Sequence, residues 1–333
     1  MLARLRLDPF LMILLAVLAV ATLLPVRGGA AIAADHVTDV AIALLFCLHG
    51  AKLSREAILA GIGAWKLHLL VLSATYALFP LLGLAIVTTL GGTVDPLVAM
   101  GVLYLAILPS TVQSSIAFTA IAGGNVPAAI CSASLSNILG ILLTPLLAAW
   151  LIGGHAAGGD FFIQAVTSIA TQLLLPFVLG HLARPWIGGW IDRHRQLVTR
   201  VDRGVILLVV YTAFSAAVVG GLWTRLSLAD LATIAAICVV LLAAVLLLTR
   251  LAARLAGLPR PDAIVLLFCG SKKSLASGVP MAGALFPAAQ VGVVILPLML
   301  FHQLQLIVCS IIAARLARQN DPIEEPDHVR RTA

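Results

Sequence analysis

Two adjacent lysines, Lys272 and Lys273, stand inside an apolar stretch that runs from about residue 262 to residue 286. An ammonium at the centre of a bilayer costs roughly 2.5–3.5 kcal/mol on insertion scales. Each therefore needs water, a partner or the loss of its proton. The Asp and Glu residues read as loop, segment-end or tail positions, so no carboxylate is expected inside a span to pair with them. Counter-charge then falls to a bound anion, to carbonyls at helix C-terminal ends, or to deprotonation. Ser271 and Ser274 flank the pair, and Ser277-Gly278-Val279-Pro280 follows. The competing reading is that both lysines snorkel to the interface from a loop.

A second polar interruption is Leu108-Pro109-Ser110-Thr111-Val112-Gln113-Ser114-Ser115. Unwound backbone at membrane depth survives only where protein or a water-filled cavity satisfies it. Paired broken helices are the best pointer in a sequence to a transport site, because half-helix ends and free carbonyls coordinate substrate and ions. The neighbouring segments add Ser132, Ser134, Ser136 and Asn137 on one side and His302, Gln303 and Gln305 on the other. His302 and Gln305 share a helical face at i, i+3. For Ser132 and Ser136, interhelical packing competes with a binding role. His49 and His68 read as anchors near segment ends. The five cysteines lie in apolar segments without metal-ligand spacing and read as free thiols. No zinc pattern, P-loop, nucleophile elbow or dinucleotide fingerprint is found, so neither an enzyme nor a bound cofactor or metal is expected.

These residues need elements that hold them in lipid. The chain is 61% hydrophobic and 11% charged, with a mean hydropathy of +1.10. Soluble domains carry about 25% charged residues, so a soluble enzyme, a disordered chain and a disulfide scaffold are all disfavoured. Ten apolar segments can be read, at about 9–26, 31–51, 67–90, 96–122, 126–152, 161–183, 204–223, 228–249, 262–286 and 288–314. The first, with Arg4 and Arg6 ahead of it, imitates a signal peptide, but 18 residues exceed the usual h-region and read as a span. With the N-terminus inside, seventeen of the 21 Lys and Arg residues fall on the inner side. Arg27 and Arg225 fall outside, and the lysine pair lies within a span. The positive-inside rule thus predicts a multi-pass protein of the plasma (inner) membrane with both termini cytoplasmic. The net charge of +7 belongs to this pattern and not to nucleic-acid binding. An odd number of segments per half predicts two inverted five-helix repeats, 1–155 and 156–318, with a cytoplasmic tail at 319–333. The stretch from Arg184 to Arg203 reads as the longest charged loop.

Several stretches together carry a family resemblance. They are Lys66-Leu67-His68-Leu69 with Phe79-Pro80, Val112 to Ser115, Gly123-Gly124-Asn125, and Leu139-Gly140 with Leu143-Thr144-Pro145. Phe268-Cys269-Gly270, Lys273-Ser274-Leu275 and Gly278-Val279-Pro280 complete the set. Over about residues 8–318 the chain resembles the bile acid:sodium symporter family in its SBF-like branch. The resemblance implies an all-α fold of ten transmembrane helices. Panel helices would lie at about 9–51 and 161–223, and core helices at about 67–152 and 228–314, with broken helices 4 and 9 crossing at mid-membrane. It implies alternating access by movement of core against panel, and organic anions as cargo. Sodium-coupled members place Glu, Gln and Asn in the ninth-helix break, where this chain has Phe268, Lys272 and Lys273. Their third-helix Gln falls on Thr75, and their fourth-helix Ser-Asn pair is Ser114-Ser115. At an effective dielectric of about 20, a unit charge about 4 Å away costs a bound cation about 4 kcal/mol, roughly three decades of affinity.

The expectation is a secondary transporter of a small organic anion without ordinary sodium sites, coupled to protons or to no ion. Thr75, Thr111, Gln113, Ser114, Ser115, Ser132, Ser134, Asn137, Ser271, Lys272, Lys273, Ser274, His302 and Gln305 are the candidate substrate and ion residues. The lysines are expected to supply a positive field to the substrate. A membrane regulator acting through a partner protein and a cation/proton antiporter are the alternatives. Expected partners are the bilayer and the anion, with a homodimer left open.

Overall fold

The computed structural model describes residues 9–52, 64–152, 169–222 and 227–319, and these are helices and connecting turns with no strand among them. α1 spans Pro9–Leu23 and α2 Gly29–Lys52. α3 runs over Trp65–Leu90, with a π-helical turn at Ala74–Leu78. α4 is Pro96–Ile107, α5 Gln113–Ile121 and α6 Val126–Leu151. A π-helical stretch, Ile169–Leu174, leads into α7, Leu175–Arg193, and α8 is Arg195–Val219. α9 is Leu228–Leu255, α10 Arg260–Gly270 and α11 Leu275–Leu285. α12, Ala288–Val294, and α13, Leu296–Arg318, complete the chain. Among the described residues, six helical stretches are long and apolar enough to cross a membrane: α2, α3, α6, α8, α9 and the combined α12–α13.

Local chemistry fixes the ends. Asp95 caps α4 by accepting from Leu97 N at 2.8 Å, and Pro96 occupies the first turn, where no amide partner is needed. Ser227 and Asp230 form a capping box on α9. Asn125 caps α6, and its Nδ2 donates to Asp262 Oδ1 at 2.8 Å, tying the α5–α6 turn to the start of α10.

α1, α2, α7 and α8 pack on one another, and α3–α6 pack with α9, α10 and α13. α11 and α12 lie against α8 and join the two groups. α2 and α7 approach most closely through a reciprocal pair of glycines. A Cβ on Gly50 would stand 1.9 Å from the Phe177 carbonyl oxygen, and one on Gly180 would stand 1.9 Å from that of Cys47. Small residues at such a crossing let two backbones touch. Outward faces stay apolar: Leu23, Trp150, Trp186, Leu228 and Leu255 are exposed. In water so much apolar surface is adhesive, whereas lipid solvates it.

Two expectations are corrected. The stretch from Arg184 to Arg203 is helical apart from a break at His194, where α7 passes into α8. Asp39 and Asp202 sit within α2 and α8, so carboxylates do occur along these helices. The expected repeat boundary near 155, the start of the sixth segment and the tail beyond Gln319 lie outside the described residues.

Candidate functional site

The fourth and ninth segments are each interrupted, between α4 and α5 and between α10 and α11, and the two interruptions are hydrogen-bonded to each other. Ser274 N donates to Pro109 O at 2.8 Å. Ser110 Oγ donates to Cys269 O at 2.6 Å, and Ser115 Oγ to Phe268 O at 3.1 Å. A helix that stops leaves its last carbonyls without amide partners, and inside lipid each must be satisfied by protein. Ile107 O accepts from Thr144 Oγ1 at 2.9 Å, and Ser110 O from Asn137 Nδ2 at 2.7 Å. Lys273 is held at both ends of its peptide group by Gln305, with N to Oε1 at 2.8 Å and Nε2 to O at 2.9 Å. Tyr104 OH adds a bond to Gly278 O at 2.6 Å. The polar residues of the two breaks thus replace the missing helix ladder.

Three further carbonyls accept from the Lys273 ammonium: Thr75 O at 2.8 Å, Ala106 O at 2.7 Å and Leu108 O at 2.7 Å. The Thr75 carbonyl is free for a local reason. In the π-helical turn the Phe79 amide reaches back to Ala74 O, and the next residue, Pro80, has no N–H to offer Thr75 O. Ala106 and Leu108 carry the negative end of α4. The ammonium also lies 4.1 Å from the centre of the Phe79 ring. Lys273 is fully buried, with its three donors used.

Lys272 is equally buried but has the opposite circumstances. Its Nζ has no hydrogen-bond partner among the described residues. It faces the rings of Phe118 at 3.9 Å and Phe268 at 5.4 Å. Neither lysine reaches an interface, so the snorkelling alternative does not hold.

A cavity of about 440 Å³ lies between the two helix groups. On one side it is walled by the first turns of α5 and α11, with Ser134 and Asn137 of α6 and His302 of α13. Two helix N-termini, the positive ends of their dipoles, therefore face it. The opposite wall carries Phe46, His49 and Lys52 of α2, Phe177 of α7, and Thr199, Asp202, Arg203 and Ile206 of α8. Lys52 is ion-paired with Asp202.

Of the residues singled out from sequence, Thr111, Gln113, Ser114, Ser134, Asn137, Ser274 and His302 line this cavity. Thr75, Ser115, Ser132, Ser271, Lys272, Lys273 and Gln305 do not. Thr75 acts through its backbone carbonyl, since its hydroxyl bonds back to Val71 O at 2.8 Å. Ser132 pairs with His68, Oγ to Nδ1 at 2.7 Å, and Ser271 bonds to Leu267 O in its own helix. His68 is thus a buried hydrogen-bonding residue and His49 a cavity residue, and neither is a simple end anchor. Neither lysine of the pair lines the cavity: carbonyls hold Lys273, and Lys272 lies against the rings of Phe118 and Phe268. The wall's permanent cations are Lys52 and Arg203 instead. Arg203, at the end of the expected loop, is carried by α8, and the recurrence of Thr199, Arg203 and Ile206 at helical spacing is the sequence signal for it.

The profile of the SBF-like CPA transporter family matches residues 8–318. An uncharacterized protein of Pseudomonas aeruginosa is 52% identical over 94% of both chains. YfeH, a candidate symporter of Escherichia coli (strain K12), is 51% identical over 96% of this chain and 95% of its own length. The sodium/bile acid cotransporter 7-A of Xenopus laevis is 28% identical over 94% of this chain and 92% of its own. The match covers both helix groups and both interrupted segments, and the chain belongs to the SBF-like CPA transporter family.

Proposed function

We propose that this membrane transporter carries a small organic anion by alternating access and does so without sodium. The observation that carries the reading is the Lys273 ammonium on three backbone carbonyls at the paired helix breaks. A sodium ion bound in such a place would be held by oxygens and would leave with each cycle. A lysine provides the same positive charge permanently tethered, so the carbonyls need no ion. The sodium-coupling Glu is absent as well, its place being taken by apolar or cationic side chains.

The proposed architecture is ten spans in two inverted repeats, with both termini cytoplasmic in the inner membrane. α1, α2, α7 and α8 would form the panel and the remaining helices the core. The segregated packing of the two groups supports this reading, as does the cavity between them. Substrate would sit against the N-termini of α5 and α11. There Ser114, Ser274 and the first-turn amides offer donors to an anion. The carbonyl ends of α4 and α10 would repel an anion, but they are turned to Lys273 and to serine hydroxyls instead.

Uptake into proteoliposomes tests the proposal. Cholate is a reasonable first anion, since a relative is named as a bile acid cotransporter, and a panel of smaller carboxylates and sulfonates should run beside it. Accumulation of an anion at the same rate in sodium and in choline buffers is expected. A strict sodium requirement would refute the sodium-free part.

A further inference from the structure

Of the two permanent cations on the cavity wall, Lys52 is paired with Asp202, while Arg203 has no ion pair or hydrogen bond to a described residue. Its guanidinium rests on the Phe10 ring of α1, 5.3 Å from carbon to ring centre. A cation–ring contact of this kind takes up no hydrogen-bond acceptor, and none of the guanidinium N–H donors is bonded to a described residue. Arg203 sits on α8, across the cavity from the first turns of α5 and α11. Next to it on the panel wall are Thr199, one turn back on the same helix, and Lys52.

We propose that Arg203 is the panel-side half of the anion site, and that its occupant carries an oxyanion with at least two equivalent oxygens, a carboxylate or sulfonate, next to an apolar body. This rests on the transporter reading and adds to it the residue that sets charge selectivity. The core side of the cavity lining contributes only partial charges, from helix ends and hydroxyls, which attract an anion without demanding one. Arg203 contributes a full charge with bidentate geometry. Phe46, Phe177, Ile206 and Met281 supply the apolar wall for the rest of the molecule. Lys52 has its charge compensated by Asp202 and serves to hold α2 against α8, so the selectivity falls on Arg203. An anion gripped by Arg203 on one group of helices and by the α5 and α11 N-termini on the other bridges the two surfaces that must move apart.

A pair of probes of matched shape tests this: naphthalene-2-sulfonate, an anion, and naphthalene-2-sulfonamide, which is neutral near pH 7. Thermal protection and uptake are measured with the full-length wild type, Arg203→Gln and Arg203→Lys. The wild type should bind the sulfonate and discriminate against the sulfonamide. Arg203→Gln should weaken sulfonate binding about 10- to 100-fold and leave the sulfonamide within about two-fold, erasing the preference. Arg203→Lys should retain charge preference with reduced affinity. Equal sulfonate affinity in wild type and Arg203→Gln, or a wild type that binds neither probe or prefers the sulfonamide, would overturn the proposal. Anion uptake in the cholate panel would still stand or fall separately, so loss of the Arg203 role and loss of the transporter reading are told apart.

Discussion

Replacing each of the two adjacent lysines by methionine should have opposite effects on stability. Methionine keeps the length and apolar body of the stem and removes the charged head. At position 273 the change strips three carbonyls of their donor: Thr75 O, Ala106 O and Leu108 O, now bonded at 2.7–2.8 Å. A buried acceptor left without a partner costs about 1–3 kcal/mol. Three of them give roughly 3 kcal/mol at the least, less whatever an entering water restores. The adjacent α4 end also loses its counter-charge. At position 272 no hydrogen bond to a described residue is lost, because Nζ has none. What disappears is the attraction to Phe118 and Phe268, worth about 2 kcal/mol when desolvated. Against it stands a desolvation penalty of several kcal/mol for a buried charge. Lys272→Met should therefore be neutral or stabilising. The assay is thermal unfolding of the purified full-length protein in detergent, at constant lipid and pH. Lys273→Met should melt on the order of 10 °C below wild type, and Lys272→Met at or above it. If the two variants lose the same stability, or if 273 tolerates methionine, the assigned roles are wrong.

Other expectations follow from individual contacts. Gly50→Ala and Gly180→Ala should each lower the melting temperature and reduce folded yield, because the new methyl would meet backbone oxygen at 1.9 Å. A cysteine pair engineered elsewhere on α2 and α7 provides a check that these helices still associate. Tyr104→Phe removes the 2.6 Å bond to Gly278 O while keeping the ring against Phe286, and a loss of about 1 kcal/mol is expected in chemical or thermal unfolding. Asp202→Asn should free Lys52 and add a net positive charge to the cavity wall. Anion affinity measured by titration should then rise, with a steeper dependence on salt than in wild type; unchanged affinity would mean that charge at this wall does not matter.

Much of the helical framework was legible because lipid leaves so few options. The apolar segments at 67–90 and 126–152 became α3 and α6 almost residue for residue, since a run of about 20 apolar residues has one stable form in a bilayer. The interruptions at 108–112 and 271–274 were legible for the same reason: Pro109, the serines and the lysines do not suit a lipid-facing helix. The direction in which side chains point was not. Nothing in the sequence tells that Pro80, by lacking an amide, frees the Thr75 carbonyl nearly two hundred residues before the lysine that uses it. The cage around Lys273 is not visible in the sequence because it is made of backbone carbonyls, and backbone acceptors have no residue type to recognise. The cavity's own cations were missed for the converse reason. Charge density around Arg184 to Arg203 resembles a loop, although continuous helix carries Asp202 and Arg203 onto the wall.

The most direct test is the dependence of initial anion uptake on external sodium, measured in proteoliposomes at fixed membrane potential and pH. If Lys273 stands permanently in place of a bound cation, as proposed, wild-type rates should be the same from zero to high sodium. A rate that vanishes without sodium and saturates as sodium is added would contradict the account, because it would require an ion site that the tethered ammonium is argued to replace.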